Sequence, residues 1–144
     1  MSASTAAVSQ TAPGQATTSA AHPARVLLLD DSALVHARVK NAFRGTSVEV
    51  TATDYWFDVQ KRVFSSTPPD ILVLDLQMPA IDGRSVCRAI KRRVSIPVVL
   101  FSSESAKNLQ EAAEQAGADA ALSKECPDRE LVDTIQKILK RSAK

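Results

Sequence analysis

Three carboxylates in this sequence stand directly after short runs of apolar residues. Asp30 and Asp31 follow the run 26–29, and Asp75 follows the run 71–74. Continuous apolar runs of this length are typical of strands that are buried on both faces of a parallel sheet. Because ligands in open parallel sheets bind outside the carboxyl ends of the strands, we expect the three side chains to lie together there.

A group of carboxylates at one edge of a sheet requires a cation. The carboxylates repel one another, and burying them without a counterion is unfavourable. Mg²⁺ is a hard cation that usually binds one or two carboxylates together with waters and phosphate oxygens. Zinc sites generally include His or Cys ligands, and neither His22 nor His36 stands at the end of a predicted strand. The sequence therefore predicts a Mg²⁺ site.

Two further polar residues could complete a site for phosphoryl transfer. Ser102 follows the apolar run 98–101, and Lys124 follows a weaker fifth run. A carboxylate can attack phosphorus to give an acyl phosphate, and catalysis then consists mainly of positioning and charge neutralisation. Asp75 is the candidate nucleophile. The Ser102 hydroxyl and the Lys124 ammonium could contact two phosphoryl oxygens, and Mg²⁺ held by Asp31 and Asp75 could contact the third.

Stretches with apolar residues at helical spacing separate the predicted strands. Gly45 and Gly117 stand where two of these helices should end, and Pro68 and Pro69 terminate another. Pro127 stands at the start of the last helix, a position that proline favours. Five strand and helix units with short connections predict a five-stranded parallel sheet between two helical layers, an α/β/α sandwich.

The composition is that of one globular domain with little net charge. The chain has 144 residues, of which 44% are hydrophobic and 24% are charged, and its net charge is +2. This balance gives no electrostatic reason to expect nucleic acid or an anionic membrane as a partner, so we expect neither. The basic run 91–93 is interpreted as a solvated helix end, where cations complement the helix dipole.

The N-terminal residues differ in composition from the rest of the chain. Residues 1–23 are mostly Ala, Ser, Thr, Gln, Gly and Pro, which predicts a disordered tail before a domain at 24–144. The chain lacks a secretory signal and any apolar run of about 20 residues, so we expect a cytoplasmic protein. Cys87 and Cys126 are too few for a disulfide framework, and we assign neither a role.

Four segments of the sequence carry a resemblance to the receiver domains of bacterial response regulators. They are VLLLDDS at 26–32, DILVLDLQMPAIDG at 70–83, IPVVLFSS at 96–103 and GADAALSK at 117–124. The resemblance extends from residue 25 to about 142 and implies a flavodoxin-like, doubly wound sheet with strand order 2-1-3-4-5.

The resemblance also implies roles for six residues. They are the acidic metal pair Asp30 and Asp31, the phospho-acceptor Asp75, the metal-ligating carbonyl of Gln77, the switch hydroxyl of Ser102 and the phosphate-binding Lys124. Such a domain catalyses only its own phosphorylation and dephosphorylation, so we expect a signalling domain and not an enzyme. The implied donor is a sensor histidine kinase or a phosphotransfer protein. By the resemblance, Gln77 and Glu104 tune water access to the acyl phosphate; the alternative is that both are ordinary polar residues of the surface.

Two positions depart from the pattern of the resembled family. An aromatic residue usually stands three positions before the lysine, and here that residue is Ala121. Output through the movement of that aromatic is therefore excluded. The lysine is usually followed by proline, often with a cis bond, and here Glu125 follows Lys124. A cis bond before Glu125 would cost about 3 kcal/mol, so we expect a trans bond and an altered loop.

Three functions are compatible with these residues. The leading hypothesis is a stand-alone receiver, because no output module follows residue 144, and its partner would bind the face formed by the fourth helix, fifth strand and fifth helix. The alternative is a pseudo-receiver that acts as a protein scaffold without phosphorylation. The third is an aspartate-nucleophile phosphohydrolase. Proteins of that class carry an Asp-x-Asp motif and a cap insertion, whereas Asp30 and Asp31 are adjacent here.

Overall fold

The computed structural model describes residues 22–142. Five strands form its sheet: β1 at Arg25–Leu29, β2 at Glu49–Thr53, β3 at Ile71–Leu74, β4 at Val98–Ser102 and β5 at Ala120–Ser123. Five helices follow them: α1 at Ala33–Ala42, α2 at Trp56–Val63, α3 at Gly83–Arg93, α4 at Ala106–Ala116 and α5 at Asp128–Ser142. The predicted tail at 1–23 lies outside the described residues, apart from His22 and Pro23.

The five strands are parallel and lie in the order β2-β1-β3-β4-β5. This confirms the predicted sandwich and its strand order 2-1-3-4-5. Alternate side chains of β1, β3, β4 and β5 enter two separate cores, whereas β2 contributes to one of them. Leu27 and Leu29 pack with α2, α3 and α4 on one face, whereas Val26 and Leu28 pack with α1 and α5 on the other.

Hydrogen bonding between neighbouring strands continues one residue beyond three of the strand ends. The Asp30 N–H donates to the Thr53 carbonyl at 3.1 Å, and the Asp75 N–H donates to the Leu29 carbonyl at 3.0 Å. The Lys124 N–H donates to a carbonyl of β4 at 2.8 Å. These bonds fix the backbone of the three residues at the carboxyl edge of the sheet.

A short hairpin between β3 and α3 was not predicted. Its strands are Gln77–Met78 and Ile81–Asp82, and they pair antiparallel. Two-residue strands are too short to produce a period-2 pattern, so nothing in the local sequence predicts them. The hairpin directs the chain from Asp75 to the start of α3, where the Asp82 carboxylate accepts from the Arg84 N–H at 3.1 Å.

Among residues 22–142, no helix is both long enough and apolar enough to cross a bilayer.

Candidate functional site

The three strand-end carboxylates meet at the carboxyl edge of β1 and β3. Asp30, Asp31 and Asp75 each offer an oxygen that lies within 4.8 Å of the others. Asp30 is fully buried and Asp75 is 3% exposed, whereas Asp31 is exposed. The cluster is therefore closed on the sheet side and open to solvent at Asp31.

Backbone amides hold the two buried carboxylates in place. The Ser32 N–H donates to Asp30 Oδ1 at 2.9 Å, and the Gln77 N–H donates to Asp75 Oδ1 at 3.0 Å. Lys124 Nζ lies 2.8 Å from Asp30 Oδ2 and 3.3 Å from Asp75 Oδ2. One ammonium group thus contacts both buried carboxylates on their second oxygens.

The Lys124 ammonium alone does not neutralise the carboxylates of the cluster. Three carboxylates stand against one ammonium when all are ionised. Asp30 Oδ2 accepts no hydrogen bond of acceptable geometry among the described residues, although Lys124 Nζ is close to it. A buried oxygen of this kind and an all-carboxylate donor set fit a hard divalent cation such as Mg²⁺. Asp30, Asp31 and Asp75 are the residues that could hold it.

The surroundings of Asp75 raise the pKa of its carboxyl group. Burial is the largest cause, and the neighbouring Asp30 charge acts in the same direction. The hydrogen bond from the Gln77 N–H and the Lys124 ammonium oppose the shift. A cation in the cluster would favour the ionised form of Asp75, which is the form that can act as a nucleophile.

Ser102 lies next to the side chain of Gln77. The Ser102 hydroxyl is buried, donates to Gln77 Oε1 at 3.4 Å and accepts from the Glu104 N–H at 3.3 Å. The roles that the resemblance implies for Gln77, a metal-ligating carbonyl and control of water access, do not include this side-chain contact with Ser102. The structure therefore links Ser102 to Asp75 through Gln77, whose N–H binds one residue and whose amide oxygen binds the other.

An ion pair that the sequence did not predict lies beside this contact. Arg84 Nη2, at the start of α3, is 3.6 Å from Glu104 Oε1 in the loop before α4. The two side chains are 31% and 17% exposed. Since the Glu104 backbone is hydrogen bonded to Ser102, the pair joins the start of α3 to the loop that follows β4.

Two residues of α1 also contact the site, and the sequence analysis gave neither a role in it. His36 Nε2 lies 2.6 Å from the Asp30 carbonyl, and it is the donor because a carbonyl only accepts. Arg38 donates to the carbonyls of Lys124 and Cys126. A helix that begins just after Asp31 returns toward the strand ends one turn later, so this spacing could have predicted the contact of His36 with Asp30.

The structure describes both positions that depart from the family pattern. Ala121 is half-buried and packs against the core beside α4, where a groove also lined by Leu109 and Ala113 has a volume of about 430 Å³. Every peptide bond in the described residues is trans, which confirms the expected trans bond between Lys124 and Glu125.

Comparison with known proteins identifies similar sequences. A family model described as the response regulator receiver domain matches residues 26–136. The alkaline phosphatase synthesis transcriptional regulatory protein SphR of Synechococcus elongatus is 33% identical over 133 residues, which cover 85% of this chain and 52% of that protein. The chain spans about half the length of the curated relatives it matches.

Solved structures with the same fold support this similarity. A response regulator receiver protein from Burkholderia phymatum has a TM-score of 0.71 and 27% identity, covering 81% of this chain and 95% of that one. The receiver domain of the Francisella response regulator 1452 also has a TM-score of 0.71, with 25% identity over 83% of this chain and 98% of that one.

Proposed function

Because the chain belongs to the response regulator receiver domain family of two-component systems, we propose that Asp75 accepts a phosphoryl group in a Mg²⁺-dependent reaction. The observation that carries the proposal is the position of the Lys124 ammonium, which contacts Asp75 and Asp30 within a cluster of three carboxylates. A lysine at this place can bind a phosphoryl oxygen as soon as one is attached to Asp75.

The proposed reaction forms a bond between a carboxylate oxygen of Asp75 and phosphorus. The bond from phosphorus to the donor breaks, and the electron pair leaves with the donor, a phosphohistidine imidazole of a histidine kinase or phosphotransfer protein. The Gln77 N–H orients the Asp75 carboxylate, and Lys124 neutralises charge on the transferred group. Mg²⁺, when bound, supplies further neutralisation of the phosphoryl oxygens and of the acidic cluster.

The proposed output begins at Ser102. Its hydroxyl would leave Gln77 Oε1 and bind a phosphoryl oxygen, which shifts the loop through the Glu104 N–H. The partner would read this change on the face formed by α4, β5 and α5. Ala121 lies on that face beside an apolar groove and leaves it without the usual aromatic side chain.

The proposal is tested by labelling with acetyl phosphate and measuring the intact mass. With Mg²⁺, the wild type should gain one phosphoryl group, and Asp75→Ala should gain none. Asp54→Asn is a matched control, because Asp54 is an exposed acidic residue just after β2 that is outside the carboxylate cluster. Labelling that persists in Asp75→Ala, or labelling without Mg²⁺ at the same rate, would contradict the proposal.

A pseudo-receiver that acts as a scaffold is the second candidate. The Lys124 ammonium already pairs with Asp30 and Asp75, which lessens the need for a metal, and Ala121 alters the output face. Failure of the wild type to bind Mg²⁺ and beryllofluoride, while a known receiver binds both under the same conditions, would favour the scaffold.

Several expectations from the sequence remain predictions. The relatives are about twice as long and carry names such as transcriptional regulatory protein, so action without an output domain and the absence of a nucleic-acid partner are not tested. The same holds for a cytoplasmic location and for a domain at 24–144, although the family match at 26–136 lies within that range.

A further inference from the structure

The Arg38 side chain reaches from α1 to the loop between β5 and α5. Its Nη1 and Nη2 donate to the carbonyls of Lys124 and Cys126, both at 2.5 Å, and its Nε donates to Asp128 Oδ1 at 3.0 Å. Its guanidinium carbon lies 5.6 Å from the ring centroid of Phe101. Three hydrogen bonds and a contact with a buried ring hold this side chain in a single orientation.

These contacts fix the backbone of Lys124 from both sides. The Lys124 N–H donates to the Ser102 carbonyl at 2.8 Å, and the Lys124 carbonyl accepts from Arg38. The side chain that leaves this backbone places Nζ against Asp30 and Asp75. A shift of the loop would therefore be transmitted directly to the ammonium group.

We propose that Arg38 is a positioning residue that aligns Lys124 for contact with the phosphoryl group on Asp75. The inference deepens the proposed function and rests on it. The role of Arg38 also explains how the loop is held although Glu125, and not the usual proline, follows Lys124. The guanidinium donates to the carbonyls of Lys124 and Cys126, which lie on either side of Glu125.

The chemistry of arginine suits this position better than that of lysine. A guanidinium presents five N–H donors in a planar fork, so it can serve two carbonyls and a carboxylate at once while stacking on an aromatic ring. An ammonium on a flexible stem cannot hold the same three acceptors in one plane. Arg38→Lys therefore keeps the charge and loses the geometry, which separates a positioning role from a general electrostatic effect.

The test measures Mg²⁺ and beryllofluoride binding separately, by calorimetry and by fluorine NMR. In Arg38→Ala we expect beryllofluoride to bind at least tenfold more weakly, because Lys124 is misaligned. Mg²⁺ affinity should stay within twofold or rise, since a loosened Lys124 competes less for Asp30 and Asp75. Arg38→Lys should recover less than half of the lost affinity on a logarithmic scale. Damage to the whole fold would instead weaken both ligands.

A ligand-free readout accompanies the binding test. Amide hydrogen exchange of Lys124 and Cys126 should quicken at least tenfold in Arg38→Ala, while amides inside β1 stay unchanged. Arg44→Ala is the matched control, because it removes an exposed arginine just after α1 and should change neither binding nor exchange. Arg38→Gln replaces Arg38→Ala if the alanine variant does not fold.

The outcomes separate this inference from the proposed function. If the wild type binds Mg²⁺ but no beryllofluoride, the proposed function fails and the inference fails with it. If the wild type binds both and Arg38→Ala binds beryllofluoride equally well, the inference alone is overturned.

Discussion

At the scale of single residues, Gly83 shows how tightly the backbone packs around the acceptor. A Cβ atom at Gly83 would lie 2.7 Å from the Asp75 carbonyl oxygen and 2.9 Å from the Leu76 Cα. Both are backbone atoms, so they cannot move aside without shifting Asp75. We expect Gly83→Ala to lower the free energy of unfolding by about 1 to 3 kcal/mol, as measured by urea denaturation.

Mg²⁺ titration separates this local effect from a general loss of stability. Gly45→Ala is the control, because Gly45 has a φ of 84° and open space around it. It should lose about 1 to 2 kcal/mol through backbone strain and keep the Mg²⁺ affinity of the wild type. Gly83→Ala should lose affinity because Asp75 moves. Unchanged stability and unchanged Mg²⁺ affinity in Gly83→Ala would contradict the prediction, because the backbone at Asp75 and Leu76 would then accommodate the added Cβ without cost.

The residues that the sequence predicted correctly as neighbours share one property. Asp30, Asp31 and Asp75 directly follow apolar runs, so once the runs are strands of one parallel sheet their meeting at one edge is determined. The contact of Arg38 with Lys124 joins residues that are 86 positions apart. It depends on the rotation of α1 about its axis and on loop geometry, which no local pattern encodes.

At the scale of elements, the packing of α3 against α4 surrounds the thiol of Cys87. Cys87 is fully buried on α3, and its Sγ donates weakly to the Ala116 carbonyl at 3.5 Å. Burial raises the pKa of this thiol from 9.0 to about 11. The folded protein therefore keeps Cys87 neutral at pH values where the unfolded chain ionises it.

This pKa difference predicts a loss of stability in alkali. Below pH 9 the Cys87 thiol is neutral in both states and has no effect. Between pH 9 and about 11 only the unfolded chain loses the proton, so the free energy of unfolding falls, by about 2 to 3 kcal/mol in total. Urea denaturation from pH 8 to 11 should show a steeper fall in the wild type than in Cys87→Ala. Burial also raises the pKa of the Cys126 thiol. Because Cys126 is present in both proteins, its effect cancels in the comparison. Parallel profiles would contradict the prediction.

The strands that are most completely buried leave the clearest apolar pattern in the sequence, and they were the easiest to predict. β3 and β4 are buried along their whole length and read as continuous apolar runs. The edge strand β2 is only partly buried, so it has no continuous apolar run and its β-branched residues mark it more weakly. The hairpin at residues 77–82 was missed because its pairing depends on where β3 ends and not on a pattern of its own.

At the scale of the whole molecule, the site exists only when the entire sheet is assembled. Asp30, Asp75, Ser102 and Lys124 come from four different strand ends, and hydrogen bonds between neighbouring strands hold the backbone of all four. Unfolding must therefore destroy the acidic cluster. A ligand that binds the cluster stabilises the folded state as a whole, by about 1.4 kcal/mol when its concentration is ten times its dissociation constant.

Removing the Lys124 ammonium should make the whole domain depend on Mg²⁺. In Lys124→Ala the buried Asp30 loses the cation that contacts it, so we expect the metal-free protein to lose about 3 kcal/mol of stability. Mg²⁺ should restore more stability to this variant than it adds to the wild type, because no ammonium competes for the carboxylates. Urea denaturation with and without Mg²⁺ measures both effects, and Lys107→Ala, at an exposed lysine of α4, is the control. Equal Mg²⁺ responses in Lys124→Ala and the wild type would mean that the ammonium and the metal do not share the same carboxylate oxygens.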